Sequence, residues 1–340
     1  MSISVIAAVM AGVVAATAWG LSVSVVASAP RTIRGEIPGS HGRVARGSSH
    51  PVVSAPWGSG LGEVGLATDG ESRGPMSFGV DDRERVWVLD QENGRLLCFD
   101  DGVVDLSVSL PPGEFEDVAV ERDRICVLAR NGSRRVVVFD GGGRELGQIS
   151  IAQSVPPVLH VRIEGSDVVV ECPMPDSRKN HTIATLAPLR AVAPEGTSVR
   201  SGVALRGGAR ASASLASSRD IAIDVTSGGL ERARLRLRSE LDVVSILDVS
   251  GDARGGLYVT SVLASDTTLP NTGVPLLSVA HYAPSGESLS WAMTPYEPLT
   301  DVLRRVVVTP TGRVYRMDSD ENGLRIVRWN LSPSSERSSR

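Results

Sequence analysis

GPMSFGVDDRERVWVLDQENGRLLCFDDG, residues 74–102, is the stretch whose reading decides the fold. Met76–Val80 reads as a short strand closed by the charged turn Asp81–Glu84. Val86–Leu89 is an unbroken apolar run, and a strand of that kind needs cover on both faces. Asn93-Gly94 predicts a tight hairpin, since both residues tolerate the positive φ such turns require. Leu96–Phe99 then returns as a third strand, stopped by Asp100–Gly102.

The same grammar recurs in Phe115–Val120, Ile125–Leu128, Asn131-Gly132, Val136–Phe139 and Asp140-Gly141, with the Phe99-Asp100 and Phe139-Asp140 pairs 40 positions apart. Using the central apolar strand as a marker, further copies fall at Val168–Val170, Ile221–Ile223, Leu257–Val259 and Val314–Met317, which makes six units.

The pattern GP-x-S-F-x-V-x5-V-x-V-L-D-x3-G-R-L, followed by a Phe-Asp strand end, resembles the NHL-type β-propeller repeat. The first two units and the last carry it, whereas units three and four follow the strand pattern without the diagnostic turns. The resemblance spans about residues 63–331 and implies an all-β, six-bladed propeller, a fold that hosts many functions. The expected organisation is an N-terminal hydrophobic segment at 1–29, a flexible, disordered linker at 30–62, the propeller at 63–331 and a disordered tail at 332–340. Leu186–Leu205 reads either as the outer strand of unit three or as the start of an extra blade. The last unit lacks a fourth strand, so Glu63–Ala67 is expected to pair with its outer side and close the ring without a covalent bond.

Ile3–Ala29 carries no charged side chain and is long enough to cross a bilayer. It fits a secretory signal ending at Ala27–Ala29, with the propeller exported to a periplasm, the exterior or the outer side of a membrane. It also fits an uncleaved anchor, and Arg31, Arg34, Arg43 and Arg46 would then favour a propeller on the cytoplasmic side. A formal charge of −4 and 4% aromatic residues argue against a nucleic-acid partner. Cys98, Cys126 and Cys172 lie in or beside strands without CxxC spacing, so buried free thiols are expected, with a Cys98–Cys126 bridge as the alternative.

HExxH, GxSxG and P-loop motifs are absent from the sequence, so no catalytic residue or cofactor is assigned. The favoured function is a monomeric, non-catalytic binding or scaffold module that takes a protein or small ligand on its rim or channel mouth. The resemblance also implies an alternative, a metal-dependent lyase or lactonase-like hydrolase with zinc or calcium over the central channel. Its metal candidates are His160, in an innermost strand, and the turn acids Asp90 and Asp318. The expected interaction surface comprises Asp90, Gln91, Glu92, Asn93, Arg178, Lys179, Asp318, Asp320 and Glu321, with the long polar connection Pro173–Asn180 as an exposed loop. The alternating Arg232–Arg238 reads as a peripheral strand with one solvated face, or as a polyanion-binding stripe.

Overall fold

The structure is a computed structural model that describes residues 31–37, 47–69, 72–174, 177–186, 189–191, 198–205, 208–228, 230–264, 273–297 and 299–333. The described residues form six sheets in a ring, a six-bladed β-propeller. Blade one is Phe78–Val80, Val86–Asp90, Arg95–Asp100 and Val103–Ser109, each strand antiparallel to the next. Blade two repeats this with Asp117–Glu121, Arg124–Ala129, Arg135–Asp140 and Glu145–Ser150. Blade three is built on His160–Glu164, Asp167–Met174 and Ser177–Leu186, blade four on Ala209–Ser217, Asp220–Ser227 and Leu230–Arg238. Blade five is Val243–Gly251, Leu257–Leu263, Leu276–Tyr282 and Ser288–Pro295, and blade six begins with Val306–Val308, Val314–Asp320 and Gly323–Trp329.

Closure is non-covalent, but by a different strand from the one expected. Ser49–Ala55 lies antiparallel to Gly323–Trp329 as the outer strand of blade six, with Val53 opposite Ile326 and Ala55 opposite Leu324. Glu63–Ala67 instead contributes only isolated bridges, Trp57 to Val64 and Ala67 to Arg73. The stretch expected to be a linker supplies a second strand as well, Arg31–Glu36, which runs parallel to Leu230–Arg238 outside blade four. Arg232–Arg238 is therefore an inner member of its sheet. Both added strands are weakly apolar because an outer strand buries one face only: Val53 and Ala55 are the buried residues of one, and Pro51 is tolerated at a free edge.

The hairpins obey the sequence with one adjustment. A four-residue loop joins Asp90 to Arg95, and of Asn93 and Gly94 only Gly94 takes positive φ, at 63°. The connection expected to replace the hairpin of blade three is itself paired, from Asp167 opposite Thr185 through to Met174 opposite Ser177, and Asn180 within it is buried. In several blades the turn after the innermost strand is nucleated by one side chain. Asp81 accepts the backbone N–H of Arg83 and Arg85, Asp252 accepts those of Arg254 and Gly256, and Thr309 Oγ1 accepts that of Arg313.

Five apolar clusters fill the seams between blades. They join one to two around Trp87 and Phe139, two to three around Val138 and Val170, four to five around Ile223 and Val259, five to six around Tyr258 and Trp329, and six to one around Phe78 and Met317. Among the described residues no such cluster joins blades three and four. That seam is polar: Arg210 donates to Glu164 at 2.7 and 3.0 Å, and Asn180 Nδ2 donates to the Gly202 carbonyl at 2.6 Å. Cys98, Cys126 and Cys172 are buried free thiols, so the bridge alternative is not realised. The apolar segment Ile3–Ala29 lies outside the described residues, and no described helix is long and apolar enough to cross a membrane.

Candidate binding rim and central channel

Ser77, just before the innermost strand of blade one, and Asp117 and His160, which open those of blades two and three, stand at successive repeat positions 40 and 43 residues apart, and the ring turns that spacing into contact at the axis. Asp117 is fully buried and is the hub. It accepts Ser77 Oγ at 2.6 Å, the Val161 N–H at 2.9 Å, and a two-point clasp from Arg304 Nε and Nη2 at 2.9 and 2.7 Å. His160 Nδ1 lies 3.3 Å from the same carboxylate. Burial alone would raise the Asp117 pKa, but Arg304 and His160 outweigh it and hold the group well below the ordinary carboxylate range. One carboxylate thus ties blades one, two and three to the segment entering blade six.

A second cluster crosses the channel. Arg162 Nε donates to Glu171 at 2.9 Å within blade three, and Nη2 reaches Asp248 of blade five at 2.5 Å. Burial would lower the Arg162 pKa, yet Asp248 and Glu171 raise it above the usual value, so the guanidinium stays charged. Between the clusters remains a cavity of about 30 Å³.

The expected site residues separate into three places. His160 is at the axis with its Nδ1 against Asp117. Asp90 is fully buried on the rim of blade one and accepts the Gly65 N–H, Asn93 Nδ2 and Arg95 Nε at 2.8 to 2.9 Å. Asp318, in blade six, accepts Arg305 at 3.2 Å and Arg316 at 2.5 and 3.0 Å. The structure does not bring these three together, and no group of three or more His, Cys, Asp or Glu able to hold a metal occurs among the described residues.

The rim acids are neutralised locally. Asp320 accepts the Asn322 N–H at 2.8 Å and Arg325 at 2.6 Å, and hydrogen bonds to those backbone groups outweigh desolvation and lower its pKa. Much of the turn after Asp90 is covered by the chain itself. Asn93 donates to the Gly58 carbonyl, Gln91 to that of Gly74, Arg95 to those of Ser59, Gly60 and Glu63, and Trp57 Nε1 to the Asp320 carbonyl. Glu92 lies 3.6 Å from Arg73, and Glu321 is exposed. The side chains of Arg178 and Lys179 lie outside the described residues, as do residues 265–272.

Asp117, Arg162, Arg304 and Asp248 were not singled out from sequence. A usable signal existed for Asp117, which stands one repeat after Ser77 in register, whereas Arg304 precedes the first strand of the last unit, in the connection from unit five, and Asp248 lies in a unit without the full pattern.

No protein-family model and no curated protein matches the chain. Among solved structures it is similar to a member of the DUF4221 family from Bacteroides vulgatus, with TM-score 0.49 and 11% identity over 84% of this chain and 98% of that one. It is also similar to BamB from Moraxella catarrhalis, with TM-score 0.39, 14% identity and coverage of 87% and 99%. A streptogramin B lyase structure matches with TM-score 0.42 and 9% identity over 76% of this chain and 93% of that one. At these identities the likeness is one of fold and does not extend to activity.

Proposed function

We propose that the chain is an exported or membrane-anchored, non-catalytic binding propeller that takes a protein partner on its rim. The observation that carries this reading is the state of the axis: each carboxylate there is held by an arginine, and the cavity left is about 30 Å³. Ligand pockets are typically an order of magnitude larger, roughly 300–1,000 Å³. A general base needs a free lone pair, and Asp117 already accepts four side-chain and backbone donors. Those same arginine pairs count against the metal-dependent lyase or hydrolase alternative, because hard-cation sites need converging unpaired oxygens.

Export or anchoring rests on the uncharged stretch Ile3–Ala29. The docking surface we assign is the rim of the hairpin turns, where Leu61 and Leu299 are exposed, and Leu299 is fixed beside the acidic turn at Asp320–Asn322 by its N–H to Ser319 Oγ. Capture of partners from the native cell envelope tests it, using wild type and a variant with Leu61→Ser, Leu299→Ser and Glu321→Lys together. Loss of a specific partner from the variant, with unchanged melting, supports the reading. Equal recovery by both proteins overturns the surface assignment.

A further inference from the structure

Hydrogen bonding at the axis closes at two arginines and fails at a third. Arg304 faces Asp117, and Arg162 faces Glu171 and Asp248. Arg305 and Arg316, by contrast, share Asp318, and among the described residues neither has another carboxylate within ion-pair range. Two guanidiniums must therefore divide the oxygens of one carboxylate, although Arg162 has two carboxylates and the axis as a whole carries no excess charge. Arg316 can shed part of that cost, being partly exposed and lying 4.6 Å over the Trp329 ring.

Arg305 has less relief. Its side chain is 5% exposed, its Nη2 donates to Asp318, and its Nε and Nη1 are buried without any hydrogen-bond partner. The face of Tyr296, 4.9 Å away, offsets charge but does not satisfy those N–H groups. Desolvation lowers the Arg305 pKa from its ordinary value, yet guanidinium remains protonated at neutral pH. Unmade hydrogen bonds from a buried cation are expensive, so the site calls for an acceptor beside Nε and Nη1.

The space for one adjoins this residue. The central cavity is lined by Arg305 and Tyr296 together with Arg162, Arg304, His160 and Thr260, and Asp248 is the one carboxylate on its wall. About 30 Å³ admits roughly two waters or one compact ion. We propose that this cavity holds a single small monovalent anion, of chloride size, hydrogen-bonded to the buried Arg305 guanidinium. Three guanidiniums, of Arg162, Arg304 and Arg305, line the cavity against the single carboxylate of Asp248, which favours an anion over water there, and the volume admits only a compact one. Bound there, the anion would sit among inner strands of blades three, five and six and act as a pin through the ring.

Melting in sodium chloride against sodium isethionate at equal ionic strength tests this. Wild type should melt higher by about 2–4 °C for each tenfold rise in chloride above its Kd. Arg305→Met should melt at the same temperature in both salts. Because that variant also loses the Asp318 contact and could fold poorly, a second measurement uses wild type alone: crystals grown in sodium bromide should show an anomalous peak beside Arg305. Identical melting in the two salts, or a cavity holding only water in the bromide crystals, overturns the proposal. A bromide peak confined to surface sites does the same.

Discussion

Val53→Asp is the sharpest test of how the ring is held shut. Val53 is 1% exposed, sits in the outer strand of blade six, and packs in the cluster that also contains Leu324, Ile326 and Phe78. Trimming it to alanine removes two buried carbons, about 0.8 kcal/mol each, plus a cavity contribution, for a loss of about 2 kcal/mol. An aspartate there would be a buried, unpaired charge, and the expected loss is more than about 4 kcal/mol. The matched control is Val103→Asp in the outer strand of blade one, where the side chain is 71% exposed and the change should stay within about 0.5 kcal/mol. Urea or thermal unfolding reads both, with about 2–4 °C per kcal/mol expected for a domain of this size class. Shortened chains extend the test: one beginning at Gly47 loses the strand outside blade four with the buried Ile37 but keeps the closing strand, and one beginning at Pro56 loses the closing strand as well. The second should melt well below the first and below a chain lacking only Glu63–Ala67. If Val53→Asp melts within a degree or two of Val103→Asp, Ser49–Ala55 does not close the ring.

Other consequences follow from the axis and the seams. Asp117→Asn leaves the part-buried Arg304 without its carboxylate and should cost about 3 kcal/mol in a urea melt. Since the folded pKa of Asp117 lies below the unfolded value near 4, the stability it contributes is full above about pH 4 and lost as pH falls further, so the variant's stability should vary less with pH below that point. His281 is stacked on Tyr258 at 4.1 Å, and desolvation lowers its pKa below 6.5; its stabilisation is complete above that value and declines as pH drops through it, a slope that His281→Gln should remove. Burial pushes Cys98 and Cys126 up to about 12 and Cys172 up to about 11, so a thiol reagent at pH 8 should label none of them in the folded protein and all of them in urea. The polar seam between blades three and four should be the first to admit solvent, so amide exchange in Ala209–Ser217 should run faster than in Asp117–Glu121, and Glu164→Gln should widen that difference.

What the sequence disclosed and what it withheld divide along a physical line. Blades one and two were legible because each buries two successive strands on both faces, which forces continuous apolar runs such as Val86–Leu89 and Val136–Phe139, and because hairpin turns demand glycine at fixed offsets. The strands Arg31–Glu36 and Ser49–Ala55 were not, since an added outer strand needs few buried side chains, none in the first and two in the second, and leaves no run to recognise. Ion pairs across the axis obey no local spacing at all: Arg304 meets Asp117 from 187 positions away, and Arg162 meets Asp248 from 86. His160 could be placed on an innermost strand from its unit, but whether its ring faces a metal or a carboxylate depends on the residue one repeat earlier. Register carries that information. Ser77, Asp117 and His160 occupy one position of three consecutive repeats, and their hydrogen-bonded contact follows from superimposing the repeats before assigning any of them a role. In a ring of repeats, a polar residue in an innermost strand is thus best assigned with its counterparts in neighbouring blades, because the axis makes those counterparts its first partners.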